Sequence, residues 1–173
     1  MTTELLQNIK ILILDVDGIM TDGTITYSSS GEELKAFNTK DGLGLRLLID
    51  SGIQTGVITA RESSIVERRC KELKIDYIFQ GIKNKLEPLK VISKKFSLDE
   101  ICYMGDDLID IPVLKAAGVG ITVPEASKEV HDSAEFITSQ HGGKGAVREV
   151  CELILKARNK WDEAIKHFKC ATL

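Results

Sequence analysis

Ile11-Leu12-Ile13-Leu14-Asp15-Val16-Asp17-Gly18 carries an apolar run directly into two carboxylates and a glycine. The run reads as a short strand, and the glycine permits a sharp turn after it. Similar β-branched runs recur at residues 56–59, 77–79, 101–104 and 119–123. Helical spacing fills most of the intervals, over 42–50, 63–73, 86–96 and 109–117. This alternation predicts an α/β fold with a doubly wound, mostly parallel sheet. Parallel strands need crossover connections, and each helix must bury its apolar stripe. Ligands of such sheets bind at the carboxyl ends of the strands.

One segment departs from the alternation. Residues 24–27 and 34–37 are strand-like and are joined by Ser28-Ser29-Ser30-Gly31, so 24–37 is expected to be a β-hairpin insertion. With 173 residues, 43% hydrophobic and 28% charged, the chain fits a single domain over 1–173. Residues 162–173 follow the last helical pattern and are expected to form a mobile tail.

The 23 Lys+Arg against 26 Asp+Glu give a formal charge of -3, without the basic excess that nucleic-acid binding requires. The expected partner is a small molecule or a protein, not nucleic acid. Cys70, Cys102, Cys151 and Cys170 are widely spaced, with no C-x-x-C pair, and read as reduced structural thiols. No apolar run approaches membrane-spanning length, and the opening residues MTTELLQNIK lack the apolar stretch of a secretory signal. A cytoplasmic protein with no membrane contact is expected.

Chemistry-bearing residues stand after successive strands. Asp15 and Asp17 follow the first, Thr59-Ala60-Arg61 the second, Asn84-Lys85 the third, and Gly105-Asp106-Asp107-Leu108-Ile109-Asp110 the fourth. Each fragment alone is ordinary turn or helix-cap chemistry. Together they converge on one sheet edge. Gly142-Gly143-Lys144-Gly145 is not a phosphate loop, because Gly145 and Thr138 stand where a hydroxyl residue and a glycine would be needed. Its glycines are expected to allow a close approach to the last helix.

The ordered set DVDGIMTDG, VITAR, NKLEPLK and GDDLID resembles the haloacid dehalogenase phosphatases. The resemblance implies that Asp15 is a nucleophile, Asp17 a general acid and base, and Thr59 and Lys85 the holders of the phosphoryl oxygens. It implies Mg²⁺ bound by Asp15, the Asp17 backbone carbonyl and Asp106. Asp107 and Asp110 would support from behind, with Asp110 nearer the metal-bound water. These residue types suit the reaction, since a carboxylate can approach a phosphate dianion only beside a hard cation and an ammonium.

The hairpin leaves no space for a cap domain, which places the resemblance in the capless branch. The segments GEELKAFN (31–38), DGLG (41–44) and HGGKGAVRE (141–149) are similar to the 3-deoxy-D-manno-octulosonate 8-phosphate phosphatases. That likeness implies a homotetramer that hydrolyses a sugar acid phosphate in lipopolysaccharide sugar biosynthesis. It also implies substrate contacts at Asp17, Asn38, Thr39, Lys40, Asp41, Gly42, Arg46, Arg61, Arg69 and Lys85. Helical phase leaves Arg68 and Arg69 open as the contact, and the resemblance selects Arg69. Ala60 departs from a common glycine, and the sequence after Ala157 diverges. A nine-carbon sialic-type 9-phosphate is an alternative substrate, and a silent tetramerisation module an alternative of another class.

Overall fold

The computed structural model describes residues 2–169. The run read first forms strand β1 (Ile11–Leu14), buried along its whole length. Before and after it come α1 (Thr2–Leu6), β2 (Thr26–Tyr27), β3 (Glu33–Leu34), α2 (Thr39–Asp50), β4 (Gln54–Ile58), α3 (Ser64–Leu73), β5 (Tyr77–Phe79) and α4 (Leu86–Ile92). The second half adds β6 (Ile101–Met104), α5 (Ile111–Ala116), β7 (Val119–Thr122), α6 (Lys128–His131), β8 (Phe136–Ile137), α7 (Ala146–Ala157), α8 (Trp161–Ala164) and α9 (Lys166–Lys169).

Six strands form one parallel sheet in the order β5-β4-β1-β6-β7-β8. Successive side chains of a strand point to opposite faces. Leu12, Leu14, Cys102 and Met104 therefore join a cluster with Leu45, Cys70 and Val150 from α2, α3 and α7. Ile11, Ile13, Ile101 and Tyr103 join a second cluster with Leu89, Val113 and Leu114 from α4 and α5. The α7 positions Val147, Val150, Cys151, Ile154 and Leu155, apolar at helical spacing, are all fully buried.

Several boundaries differ from the expectation. The helix expected over 86–96 ends at Ile92. The one expected over 109–117 opens as a 3-10 turn (Leu108–Asp110), because the Asp107 carboxylate accepts the Leu108 N–H at 2.7 Å and caps it. Helices α1 and α6 and strand β8, of five, four and two residues, are too short to show a period in sequence. Residues 162–169, expected to belong to a tail, include parts of the short helices α8 and α9, while 170–173 lie outside the described residues. Trp161 packs on the chain's own core, with the Lys156 ammonium 5.1 Å from its ring centroid. Cys70, Cys102 and Cys151 are buried free thiols, and Cys170 lies outside the described residues.

The hairpin is present but short, with Thr26 opposite Leu34 and Tyr27 opposite Glu33. Ile25, Tyr27 and Leu34 are exposed, whereas Phe37 packs against the core and under the Arg69 guanidinium, 5.7 Å away. The glycines at 142 and 143 meet the turn after β1, not chiefly the last helix. The Gly143 N–H donates to the Ile19 carbonyl at 2.9 Å, and a Cβ on Gly142 would fall 1.7 Å from the Gly18 carbonyl oxygen. Only glycine fits there, and the contact fixes the turn that carries Asp17.

Candidate active site

Strand β1 lies between β4 and β6, with Leu14 level with Val57 on one side and Met104 on the other. Neighbouring strands are about 4.8 Å apart. The residues just beyond these three strands are thus forced together, and they are Asp15, Thr59 and Asp106. Lys85, at the N-terminus of α4, brings a buried ammonium to the same edge, 2.9 Å from Asp15 Oδ1 and 2.7 Å from Asp110 Oδ1. Gly18, at φ +89, leaves room for Asp106, since a Cβ there would lie 1.9 Å from its Oδ2.

One oxygen each from Asp15, Asp106 and Asp110 lies within 4.8 Å of the others. Three clustered carboxylates around one ammonium leave excess negative charge in a poorly solvated place. Burial, with the Asp110 charge adding to it and Lys85 opposing, pushes the Asp15 carboxyl up to about 7. Burial and the charges of Asp15 and Asp110 push Asp106 to about 7 as well. Burial pulls Lys85 down, but the two aspartates outweigh it and the net shift is upward, so the ammonium persists.

These residues fit a hard divalent cation. Asp15 Oδ1 and Asp106 Oδ1 are buried without an aligned hydrogen-bond donor among the described residues, and the Lys85–Asp15 contact is close but poorly directed. Such oxygens call for a cation, and an all-oxygen set suits Mg²⁺ or Ca²⁺ over softer metals.

Asp17 sits two residues on, beside a group that sequence reasoning missed. The Lys35 ammonium, on a side chain only 1% exposed, binds Asp17 Oδ1. Arg61 Nε approaches Asp17 Oδ2 to 3.7 Å, and its Nη2 donates to Glu33 Oε1 at 2.7 Å. Ser63 donates to the other Glu33 oxygen at 3.0 Å. The hairpin is thereby latched to the candidate site by charge. Alternation was the available signal, since in GEELK it sets Glu33 and Lys35 on one face and Leu34 on the other.

The remaining expected contacts are distributed differently. Thr59 is buried at the edge, its Oγ1 accepting from Arg61 N–H at 3.4 Å. Asn38 caps α2 by accepting from the Lys40 N–H at 2.8 Å, and Asp41 accepts from the Arg148 N–H at 2.8 Å at the start of α7. Gly42 lies against Arg69, whose Nη2 would be 2.4 Å from a Cβ there. Asn38, Asp41 and Gly42 thus serve the fold within the chain. Thr39, Lys35 and Arg69 line a cavity of about 350 Å³ together with Arg68, while Lys40 lies exposed. Arg68 is 82% exposed and pairs with Glu72, whereas Arg69 is 22% exposed. Arg46 is not brought to the carboxylates: it faces Asp50 at 3.8 Å and lines another cavity with Lys160, Glu163 and Phe168.

A haloacid dehalogenase-like hydrolase family profile matches residues 78–150. The 3-deoxy-D-manno-octulosonate 8-phosphate phosphatase of Escherichia coli K12 is 44% identical over 160 residues, covering 91% of this chain and 85% of that protein. The chain belongs to the 3-deoxy-D-manno-octulosonate 8-phosphate phosphatase family of haloacid dehalogenase-like hydrolases. The Moraxella catarrhalis member, solved with a magnesium ion, a phosphate ion and a KDO molecule, superposes at a TM-score of 0.94 with 46% identity, covering 97% of this chain and 98% of that one. The cobalt-bound Haemophilus influenzae phosphatase superposes at 0.88 with 38% identity over 91% of this chain and 94% of that one. Among the described residues of this hydrolase, no helix is long and apolar enough to cross a membrane.

Proposed function

We propose that this chain is a Mg²⁺-dependent phosphatase that converts 3-deoxy-D-manno-octulosonate 8-phosphate to 3-deoxy-D-manno-octulosonate and phosphate through an aspartyl phosphate on Asp15. The observation that carries the reading is the convergence of buried Asp15 and Lys85 with half-buried Asp106 in a chain so similar to a KDO-bound phosphatase.

When bound by Asp15, the Asp17 carbonyl and Asp106, Mg²⁺ supplies the positive charge that offsets carboxylate and phosphate. The Asp15 carboxylate attacks phosphorus while Lys85 and Thr59 hold the phosphoryl oxygens, and the ester P–O bond breaks. Asp17 gives its proton to the leaving sugar alkoxide. It then takes a proton from water, whose oxygen attacks phosphorus and breaks the Asp15–phosphoryl bond, releasing phosphate and restoring both groups. Lys35 orients Asp17 for this exchange. Arg61 and Arg69 supply guanidinium forks for the sugar carboxylate, with Asn38, Thr39, Lys40, Asp41 and Gly42 shaping the rim. Arg46, remote from the carboxylates in one chain, is assigned to a contact made across subunits.

Three exposed apolar hairpin residues, Ile25, Tyr27 and Leu34, favour a homotetramer in which hairpins pack together. The buried free thiols fit a reducing cytoplasm. Phosphate release by the purified protein from the eight-carbon 8-phosphate and a nine-carbon sialic-type 9-phosphate, with Mg²⁺ and with EDTA, tests the proposal. The expected result is a clear preference in kcat/KM for the eight-carbon ester and loss of turnover in EDTA. Preference for the nine-carbon ester would reassign the substrate, and no release from either would leave the silent module.

A further inference from the structure

Asp110 is fully buried, and its acceptor capacity is filled. Oδ1 accepts from Lys85 Nζ at 2.7 Å and from the Tyr103 hydroxyl. Oδ2 accepts from the backbone N–H groups of Asp106 and Asp107, each at 3.2 Å. A carboxylate has about four acceptor sites, so these four donors saturate it. Asp15 and Asp106 each keep a buried oxygen without an aligned donor among the described residues. By distance alone Asp110 qualifies as a third carboxylate ligand, with an oxygen within 4.8 Å of the other two. Its hydrogen bonding removes it from that role.

The donor most specific to Asp110 is Tyr103. Lys85 divides its ammonium between Asp15 and Asp110, and the two amides belong to the loop that Asp110 folds around itself. The one side-chain hydrogen bond of Tyr103 among the described residues goes to Asp110. The ring cannot swing away, because β6 pairs it level with Ile13 on β1 and Gly120 on β7, and it is fully buried in the α4–α5 layer. A fixed phenol thus holds the same Asp110 oxygen that Lys85 contacts, on the side of the residue that Lys85 joins to Asp15.

We propose that Tyr103 is a positioning residue for cation selectivity: its hydroxyl occupies the Asp110 oxygen that would otherwise join the coordination of a cation held by Asp15 and Asp106. The inference rests on the proposed cation site. Mg²⁺ keeps a compact octahedral shell including several waters, whereas Ca²⁺ takes 6–8 oxygens in flexible geometry. Freeing a third carboxylate would therefore favour Ca²⁺.

Calorimetric titration of metal-free wild type and Tyr103→Phe with Mg²⁺ and Ca²⁺ tests this without turnover. The expected result is a shift of the Ca²⁺:Mg²⁺ affinity ratio toward Ca²⁺ by about tenfold or more in Tyr103→Phe, cancelled when Asp110→Asn is added. A merely structural role for the hydroxyl would lower stability and leave that ratio alone. An unchanged ratio in folded Tyr103→Phe overturns the proposal. Independently of that variant's folding, NMR of the wild type should retain a slowly exchanging Tyr103 hydroxyl proton as Mg²⁺ saturates the site. Its loss on adding Mg²⁺ would overturn the proposal by showing that Asp110 has released the phenol. Absence of any cation binding by the wild type would overturn the cation site itself, and this inference with it.

Discussion

Lys85→Met removes the ammonium that touches both Asp15 and Asp110 while keeping most of the side-chain volume. The lysine side chain is 1% exposed, and its partners are 7% and 0% exposed, so water cannot replace the lost charge. Removing one partner of a buried ion pair costs about 3–5 kcal/mol. With a urea slope of about 2 kcal/mol per molar, the unfolding midpoint of the metal-free protein should fall by about 2 M at pH 8. The penalty should depend on pH in a defined direction. Asp15 and Asp106 have folded-state values near 7, above the 3.8 of an unperturbed carboxyl. The folded chain therefore holds protons that the unfolded chain releases, and stability declines as pH rises from about 4 to about 7. Lys85 lowers both values, so its loss pushes them higher and extends that decline. Denaturation of wild type and variant in EDTA at pH 5 and pH 8 measures the difference. A loss below about 1 kcal/mol at pH 8, or a larger loss at pH 5 than at pH 8, would refute the reasoning.

Asp15→Asn should fold normally and lower kcat by about 10⁴-fold or more, with rapid-quench labelling placing phosphate on Asp15 in the wild type and on no other residue. Asp17→Asn should slow both protonation of the leaving group and hydrolysis of the intermediate, visible as a smaller burst and a slower steady state. Mg²⁺ should raise the melting temperature more at pH 8 than at pH 6, because protons compete for Asp15 and Asp106 below about pH 7; an equal or reversed shift contradicts the assignment. Ile25→Glu with Leu34→Glu should dissociate the assembly in light scattering and reduce turnover of the sugar acid phosphate more than that of a small generic ester. A selective, fully active monomer would show that the hairpin is not the replacement for a cap.

Much of the candidate site was legible because its residues follow strands, and strands of a parallel sheet read as apolar runs. ILIL, ICYM and YIF kept the bounds expected of them. The placement of Asp15, Thr59 and Asp106 after three of these runs then follows from sheet geometry. The resemblance carried by the ordered motifs implies phosphoryl transfer. Local signals also marked α7, whose apolar positions share one face.

What sequence could not decide depends on contacts between segments far apart in the chain. Lys35 reaches Asp17 across 18 positions, and Asp41 accepts the Arg148 N–H across 107, giving an expected substrate contact a second task at the start of α7. Tyr103 lies in the apolar run 101–104, and strand alternation gives the face of its ring but not the partner of its hydroxyl. Helical phase leaves Arg68 and Arg69 open, and the packing of Arg69 against Phe37 and Gly42 is what separates them in the fold. Periodicity and motif spacing are properties of neighbours in sequence, and they determined the sheet, the edge that carries the candidate site and the residue types along it. Charge pairing and burial are properties of neighbours in space, and only the tertiary structure decided which carboxylates stay open to a cation and which are already satisfied.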